Sequence, residues 1–234
     1  IAALGRGDPP HPADRDLGGQ WLVPGFVDIH VHGGARASYM SGDPDEVASI
    51  VDLHRRHGTT TTMASLVTGA EDLLVATVTS LADLVDDGVL AGIHLEGPFL
   101  AAARCGAHDP ALLRDPEPAL VERLLTAGRG TVRMVTLAAE LPHAADAVER
   151  IIAAGALAAV GHTDATYGET CAAIDAGATI ATHLFNAMRP LHHREPGPVP
   201  ALLEDGRVVV ELICDGVHLH PAIVRTAVAA AGAD

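Results

Sequence analysis

The first apolar segment of the chain ends in two histidines at the spacing His-x-His. His30 and His32 close the segment 22–32, which has the composition of a buried strand, and Gly33 and Gly34 follow directly. Side chains alternate along a strand, so the two imidazoles point to the same face. Imidazole binds zinc, iron and nickel, and the glycines let the backbone turn close to such a site. The pair indicates a divalent metal, with two hydrogen-bonded histidines at a strand end as the alternative interpretation.

An apolar strand followed by an amphipathic helix recurs along the chain. Strands are predicted at 22–32, 59–67, 89–95, 131–138, 156–160, 178–184 and 208–213. Helices are predicted at 44–57, 71–86, 118–128, 143–154, 166–176, 199–204 and from 221 nearly to the end. The strands are apolar throughout, without clean alternation, which is typical of a parallel sheet covered by helices. Seven such units favour an α/β fold of the (β/α)8 TIM-barrel type over an open doubly wound sheet.

The number of units falls one short of a closed barrel. Eight strands are required and seven are predicted, so we expect an incomplete (β/α)8 barrel whose eighth strand is absent from this chain. Residues 21–234 are assigned to that barrel, which is expected to be truncated before strand eight. Residues 1–20 are irregular and rich in glycine and proline, which indicates the tail of a strand and a linker.

The overall charge excludes several classes of partner. The 234 residues carry a formal net charge of −15, which argues against nucleic acid or an anionic membrane as partner. An anionic small molecule remains compatible, because it needs only a local cationic pocket. The three cysteines are far apart, so we predict no disulfide framework and a reducing compartment. Neither a membrane-spanning run nor a signal peptide is visible, and we expect a cytoplasmic protein.

Residues that can bind a metal collect at the ends of the predicted strands. In barrels of this type the functional side chains lie at the carboxyl ends of the strands. Four histidines and one glutamate have this position, namely His30, His32, Glu96, His162 and His183. Asp215 and His218 follow the seventh strand. The five ligands suffice for two metals with a bridging oxygen ligand or for one metal with spare ligands, and open coordination positions are typical of catalytic sites.

Longer motifs surround these residues. They are Pro-Gly-Phe-Val-Asp-Ile-His-Val-His at 24–32, His-Leu-Glu-Gly-Pro-Phe at 94–99, Gly-His-Thr at 161–163, Thr-His-Leu-Phe-Asn-Ala-Met at 182–188 and Arg-Glu-Pro-Gly at 194–197. From about residue 20 onward, the chain resembles the amidohydrolase superfamily and, within it, the N-acetylglucosamine-6-phosphate deacetylase family. The resemblance implies a metal-dependent hydrolase that releases acetate from the N-acetyl amide, in amino-sugar catabolism and cell-wall recycling.

The resemblance also implies a metal centre. Glu96, His162 and His183 match the ligands common to the family. His30 and His32 match the additional ligands of members that bind two metals, with Glu96 as the bridge. We therefore expect one or two divalent ions in each subunit, zinc before iron or another divalent ion.

Further residues are assigned to the substrate by the same resemblance. The expected partner is a small amino-sugar phosphate, and the expected assembly is a homodimer. Substrate contacts are implied for His108, Asn186, Ala187 through its backbone, Arg194 at the phosphate, and His218. His108 and His218 are also the residues assigned to catalysis. A guanidinium suits a phosphate, and cations are scarce on so acidic a chain.

Two parts of the family pattern are expected outside this chain. They are the proton-shuttling aspartate after strand eight, which would follow residue 234, and most of a small β-sandwich domain, of which 1–20 would be a remnant. Two alternatives stay open. Another amidohydrolase acting on a cyclic or N-acyl amide, such as a dihydroorotase-like enzyme, would be expected to carry a lysine on strand four, where none occurs. The second is a sugar-phosphate-binding or metal-binding protein without turnover.

Overall fold

A seven-stranded parallel sheet covered by helices makes up the computed structural model, which describes residues 17–232. The predicted domain remnant at 1–20 therefore lies largely outside the described residues. The strands are β1 (Phe26–Asp28), β2 (Gly33–Gly34), β3 (Ala37–Ser38), β4 (Thr59–Leu66), β5 (Gly92–Glu96), β6 (Val132–Leu137), β7 (Leu157–Val160), β8 (Ile180–Ala181) and β9 (Val209–Val210). The sheet order β1-β4-β5-β6-β7-β8-β9 follows the order along the chain.

The helices alternate with these strands and begin where the sequence supplies caps. They are α1 (Pro44–Arg56), α2 (Glu71–Asp86), α3 (Pro118–Ala127), α4 (Ala144–Ala153), α5 (Tyr167–Asp175), α6 (Pro198–Glu204) and α7 (Pro221–Ala231). Asp43 caps α1 by accepting hydrogen bonds from the first-turn amides, and Pro44 occupies the first position of the helix. Thr166 and Glu169 form a reciprocal capping box at the start of α5.

The predicted fold is confirmed as an incomplete (β/α)8 barrel. All seven predicted strands pair in parallel with their neighbours in chain order. Within residues 17–232, β1 and β9 do not pair with each other, so the sheet stays open at both edges. The edge strands β1 and β9, which have a ladder on one side only, and β8 beside β9 are much shorter than predicted. The hairpin of β2 and β3, directly after the two histidines, was not predicted.

The inner face of the sheet is filled in layers that lead up to the strand ends. An apolar layer is formed by Met63, Met134, Ala159 and Ile180. A fully buried polar layer follows, formed by Ser65, His94, Thr136 and Thr182. Glu96 lies two residues beyond His94, so the same strand face carries its carboxylate to the carboxyl end of the sheet. No helix within residues 17–232 is long and apolar enough to cross a membrane.

Candidate active site

The five predicted metal ligands converge around the carboxylate of Glu96. Its Oε1 lies 3.2 Å from His162 Nε2 and 2.9 Å from His183 Nε2. Its Oε2 lies 2.9 Å from His32 Nε2, and His30 Nε2 is 3.5 Å from Oε1. The ligand atoms form two groups, each lying within 4.8 Å, that share Glu96. We call His30, His32 and Glu96 the first half-site, and Glu96, His162 and His183 the second half-site.

Tight turns at the strand ends place the ligands of the second half-site. His162 and His183 follow β7 and β8 and have positive φ angles of 47° and 30°. Gly161 precedes His162 in a crowded position, where an added Cβ would lie 2.7 Å from the Cβ of Thr182 and 2.8 Å from Cγ2 of Thr136. Strained backbone of this kind persists only where the surrounding structure fixes it, and it is concentrated at functional sites.

The outer ring nitrogens of the histidines have partners that fix their orientation. His32 Nδ1 donates to the carbonyl of Ser65 at 3.1 Å, and His162 Nδ1 donates to the carbonyl of Arg104 at 2.9 Å. His30 Nδ1 donates to Glu211 Oε2 at 3.0 Å. A carbonyl can only accept, so Nδ1 carries the proton in His32 and His162, and their Nε2 lone pairs face inward.

This donor set fits a divalent cation. Nε2 of His30 lies 3.2 Å from Nε2 of His32, and the corresponding pair of His162 and His183 lies 3.0 Å apart. Donors at 2.0–2.1 Å from a tetrahedral ion would be about 3.3 Å apart. The inward-facing imidazole lone pairs and the carboxylate repel one another, because the imidazole protons are on the outer nitrogens. A positive charge between them removes that repulsion. Imidazole and carboxylate donors suit zinc and other borderline ions.

The electrostatics of the cluster also favour positive charge. Burial alone would raise the pKa of Glu96, but the imidazoles of His108, His162 and His183 that surround it hold its pKa far below the ordinary value. Burial would likewise lower the pKa of His30, yet its hydrogen bonds to Glu211 and Glu96 outweigh burial and raise it to about 10. In His94, beneath the site, burial dominates and lowers the pKa, so this imidazole stays neutral.

His108 and His218 line a cavity of about 900 Å³ whose walls also include all five predicted ligands. The Nδ1 atom of His108 accepts from the backbone amide of Thr68 at 3.2 Å. The proton of neutral His108 is therefore on Nε2, which lies 3.5 Å from Glu96 Oε2. His218 donates from Nδ1 to Asp215 at 2.6 Å. Backbone amides of residues 217 and 218, with this imidazole, lower the pKa of Asp215 to about 2.

Asn186, Ala187 and Arg194, the other predicted substrate residues, lie on the loop between β8 and α6, outside the walls of this cavity. The Asn186 amide donates to the carbonyls of His183 and Leu184, and the Ala187 carbonyl accepts from the Thr163 amide. Arg194 is exposed and forms no ion pair with any residue of 17–232. The structure brings the five predicted metal ligands together, and both their role as ligands and the substrate contacts stay predictions.

Sequence reasoning passed over Glu211, which contacts His30 and lines the cavity. It lies in the apolar run Val-Val-Val-Glu-Leu-Ile at 208–213. A single charge inside an apolar strand is costly unless it is paired. The isolated glutamate in this run was therefore a signal that Glu211 has a partner.

The amidohydrolase family model matches residues 21–233. The N-acetylglucosamine-6-phosphate deacetylase of Lysinibacillus sphaericus is 31% identical over 220 residues, covering 92% of this chain and 57% of that protein. The N-acetylgalactosamine-6-phosphate deacetylase of Escherichia coli O157:H7 is 37% identical over 213 residues, covering 89% of this chain and 56% of that protein. The chain thus spans little more than half the length of these relatives.

Solved structures show similarity to the same enzymes. The crystal structure of N-acetyl-D-glucosamine-6-phosphate deacetylase from Mycobacterium smegmatis superposes with a TM-score of 0.95 at 56% identity, covering 97% of this chain and 60% of that one. A variant of that protein, solved in complex with N-acetyl-D-glucosamine-6-phosphate, has the same TM-score and identity. Together with the family match over residues 21–233, these findings show that the chain belongs to the amidohydrolase family.

Proposed function

We propose that this chain forms the catalytic barrel of an N-acetylglucosamine-6-phosphate deacetylase. Water adds to the amide, the C–N bond breaks, and the products are acetate and glucosamine 6-phosphate. The observation that carries the proposal is the ring of four histidines around Glu96 at the wall of a cavity of about 900 Å³. The 56% identity to the deacetylase of M. smegmatis supports the choice of substrate.

The chemistry divides between the metal and the side chains around it. A divalent ion at the second half-site, with another at the first, would supply Lewis acidity for the amide carbonyl and for water. His108 presents an Nε2–H donor toward the site because Thr68 occupies its Nδ1. That donor is placed to stabilise the negative charge that develops on the carbonyl oxygen. His218, which Asp215 orients and which lines the same cavity, is assigned to the sugar.

Arg194 is the residue that we assign to the phosphate. It is exposed and free of ion pairs among the described residues, whereas Arg104 and Arg189 are both paired with Asp164. Protonation of the leaving amine is assigned to the aspartate that the family pattern places after residue 234. Zinc as the metal, a homodimeric assembly and a cytoplasmic location rest on the family resemblance.

A second candidate substrate is N-acetylgalactosamine 6-phosphate. The E. coli relative with that name is 37% identical to this chain, the same identity as the N-acetylglucosamine-6-phosphate deacetylase of Bos taurus. The two sugars differ only in the configuration of one hydroxyl group, so the metal centre serves either. Comparing the kcat/KM values of the full-length protein for the two sugar phosphates decides between them.

Acetate release by the full-length protein, with and without a chelator, tests the proposal. Arg194→Ala should reduce kcat/KM for the phosphorylated sugar about ten- to a hundred-fold, because a charge-assisted hydrogen bond contributes roughly 1.5–3 kcal/mol. The parent and Arg194→Ala should hydrolyse unphosphorylated N-acetylglucosamine with equal kcat/KM. Arg225→Ala, at an exposed arginine of α7 without an ion pair among residues 17–232, is the matched control. Absence of acetate from the metal-loaded parent, or equal losses on both sugars, would contradict the assignment.

A further inference from the structure

We propose that Glu211 is a positioning residue that joins the two half-sites and strengthens metal binding by His30. The inference rests on the metal-dependent hydrolysis proposed above. A single oxygen, Glu211 Oε2, accepts from His30 Nδ1 at 3.0 Å and lies 3.3 Å from the backbone nitrogen of His183. His30 belongs to the first half-site and His183 to the second. The carboxylate therefore contacts one residue of each.

The backbone of Glu211 is fixed on both sides, so its carboxylate has little freedom. Its amide donates to the carbonyl of Ala181 at 2.9 Å, and its own carbonyl accepts from the amide of Leu184 at 2.8 Å. These bonds extend the ladder between β8 and β9 past its last paired residues. The side chain is 15% exposed. A carboxylate held in this way can impose a direction on the imidazole that it contacts.

The charge of Glu211 distinguishes His30 from the other histidines of the cluster. His32 and His162 donate to neutral backbone carbonyls, those of Ser65 and Arg104. His30 donates to an anion. A carboxylate behind a ligating imidazole fixes its tautomer and raises its basicity, and removing such a partner costs about 10- to 100-fold in metal affinity. Glu211 should therefore matter most for the ion bound by the first half-site.

Two polar atoms without partners mark the same junction. Among the described residues, His183 Nδ1 and Glu211 Oε1 are buried without a hydrogen bond, although the two residues already touch through Oε2. Nδ1 of a neutral histidine can carry a proton, and Oε1 can accept one. The two atoms do not bond to each other, so the contact of Glu211 with the second half-site is the one between Oε2 and the His183 backbone nitrogen, and Oε1 stays free to accept a further hydrogen bond.

Zinc binding to the chelator-stripped full-length protein tests this role without relying on turnover. Calorimetric titration gives affinity and stoichiometry, and cobalt substitution gives an absorption spectrum of the ligand geometry. Glu211→Ala should weaken the affinity of the first half-site at least tenfold and change the cobalt spectrum. Glu211→Gln, which keeps the shape and one acceptor oxygen, should have an intermediate affinity. Glu149→Ala, at an exposed glutamate of α4, is the control and should match the parent.

The outcomes separate this inference from the function proposed above. Glu211→Ala binding zinc with the affinity, stoichiometry and cobalt spectrum of the parent would overturn the role of Glu211, whatever the activity. If Glu211→Ala fails to fold, the isosteric Glu211→Gln decides, and parent-like zinc affinity in that variant overturns the role of the charge. The proposed function fails by a different result, the absence of acetate release from the zinc-loaded parent.

Discussion

Asp164 connects the two loops that carry the predicted substrate residues, and removing its charge should weaken substrate binding. Asp164 accepts from Arg104 at 2.8 and 2.7 Å and from Arg189 at 2.9 Å. Arg104 lies four residues before His108, and Arg189 lies two residues after Ala187. We predict that Asp164→Asn loosens both loops and raises KM for the sugar phosphate while kcat changes little.

The magnitude follows from the exposure of the pairs. The three side chains are 30–32% exposed, so each ion pair is worth about 1 kcal/mol, the upper end for surface pairs. Two pairs give about 2 kcal/mol, which corresponds to a rise in KM of roughly thirtyfold. Metal content should be unchanged, because the backbone bond from the Ala101 amide to the His162 carbonyl remains.

Steady-state kinetics of acetate release measure this effect, with elemental analysis of each protein. Asp52→Asn is the matched control, because Asp52 forms an exposed ion pair with Arg56 within α1. That variant should have the KM of the parent. The reasoning is refuted if Asp164→Asn keeps KM within about twofold of the parent, or if the control variant loses as much as Asp164→Asn.

Three further outcomes are expected. His183→Ala should lose bound metal and activity together, and elemental analysis showing parental metal content would contradict the ligand assignment. Gly161→Ala should cost about 1–3 kcal/mol because its Cβ would meet Thr182 at 2.7 Å, whereas Gly168→Ala, with no atom within 4 Å, should not lower the melting temperature measured by circular dichroism. Arg189 and Arg104 lower the pKa of Asp164, though burial opposes them, so its ion pairs stabilise the fold above the unfolded pKa of about 3.9. The stability advantage of the parent over Asp164→Asn in urea denaturation should therefore persist at pH 5–8 and shrink as the pH falls below about 4, and an unchanged advantage at pH 2 would contradict this.

Local sequence signals predicted most of the secondary structure. Helix α2 has the predicted bounds Glu71–Asp86, because its apolar residues are regularly spaced and no glycine or proline interrupts it. The convergence of the five candidate metal ligands was predictable for a related reason, since each lies at a strand end in the same phase of the repeat. The hairpin of β2 and β3 was not, because its turn places Ala35 and Arg36 at positive φ, where turn rules expect glycine or asparagine.

Local sequence signals could not predict contacts between distant parts of the chain. Glu211 and His30 are 181 residues apart, and no pattern within either segment indicates that they meet. The same holds for Asp164, whose partners lie 60 residues before it and 25 residues after it. Strand phase predicts which residues reach the mouth of the barrel. Which of them then pair depends on the loops that fold over it.

The pairing of the arginines limits which cations near the predicted substrate residues are free to bind an anion. On the loop between β5 and α3, Arg114 donates to the carbonyls of Ala111 and Leu113, and Arg104 is paired with Asp164. On the loop between β8 and α6, Arg189 is paired with the same aspartate, which leaves Arg194. Through Arg189, Asp164 braces the loop that also carries Arg194. Because N-acetylglucosamine has no phosphate for Arg194 to bind, the KM increase predicted for Asp164→Asn should be larger for the phosphorylated sugar, and a rise of the same size for N-acetylglucosamine would show that Asp164 acts only by bracing the loop of His108.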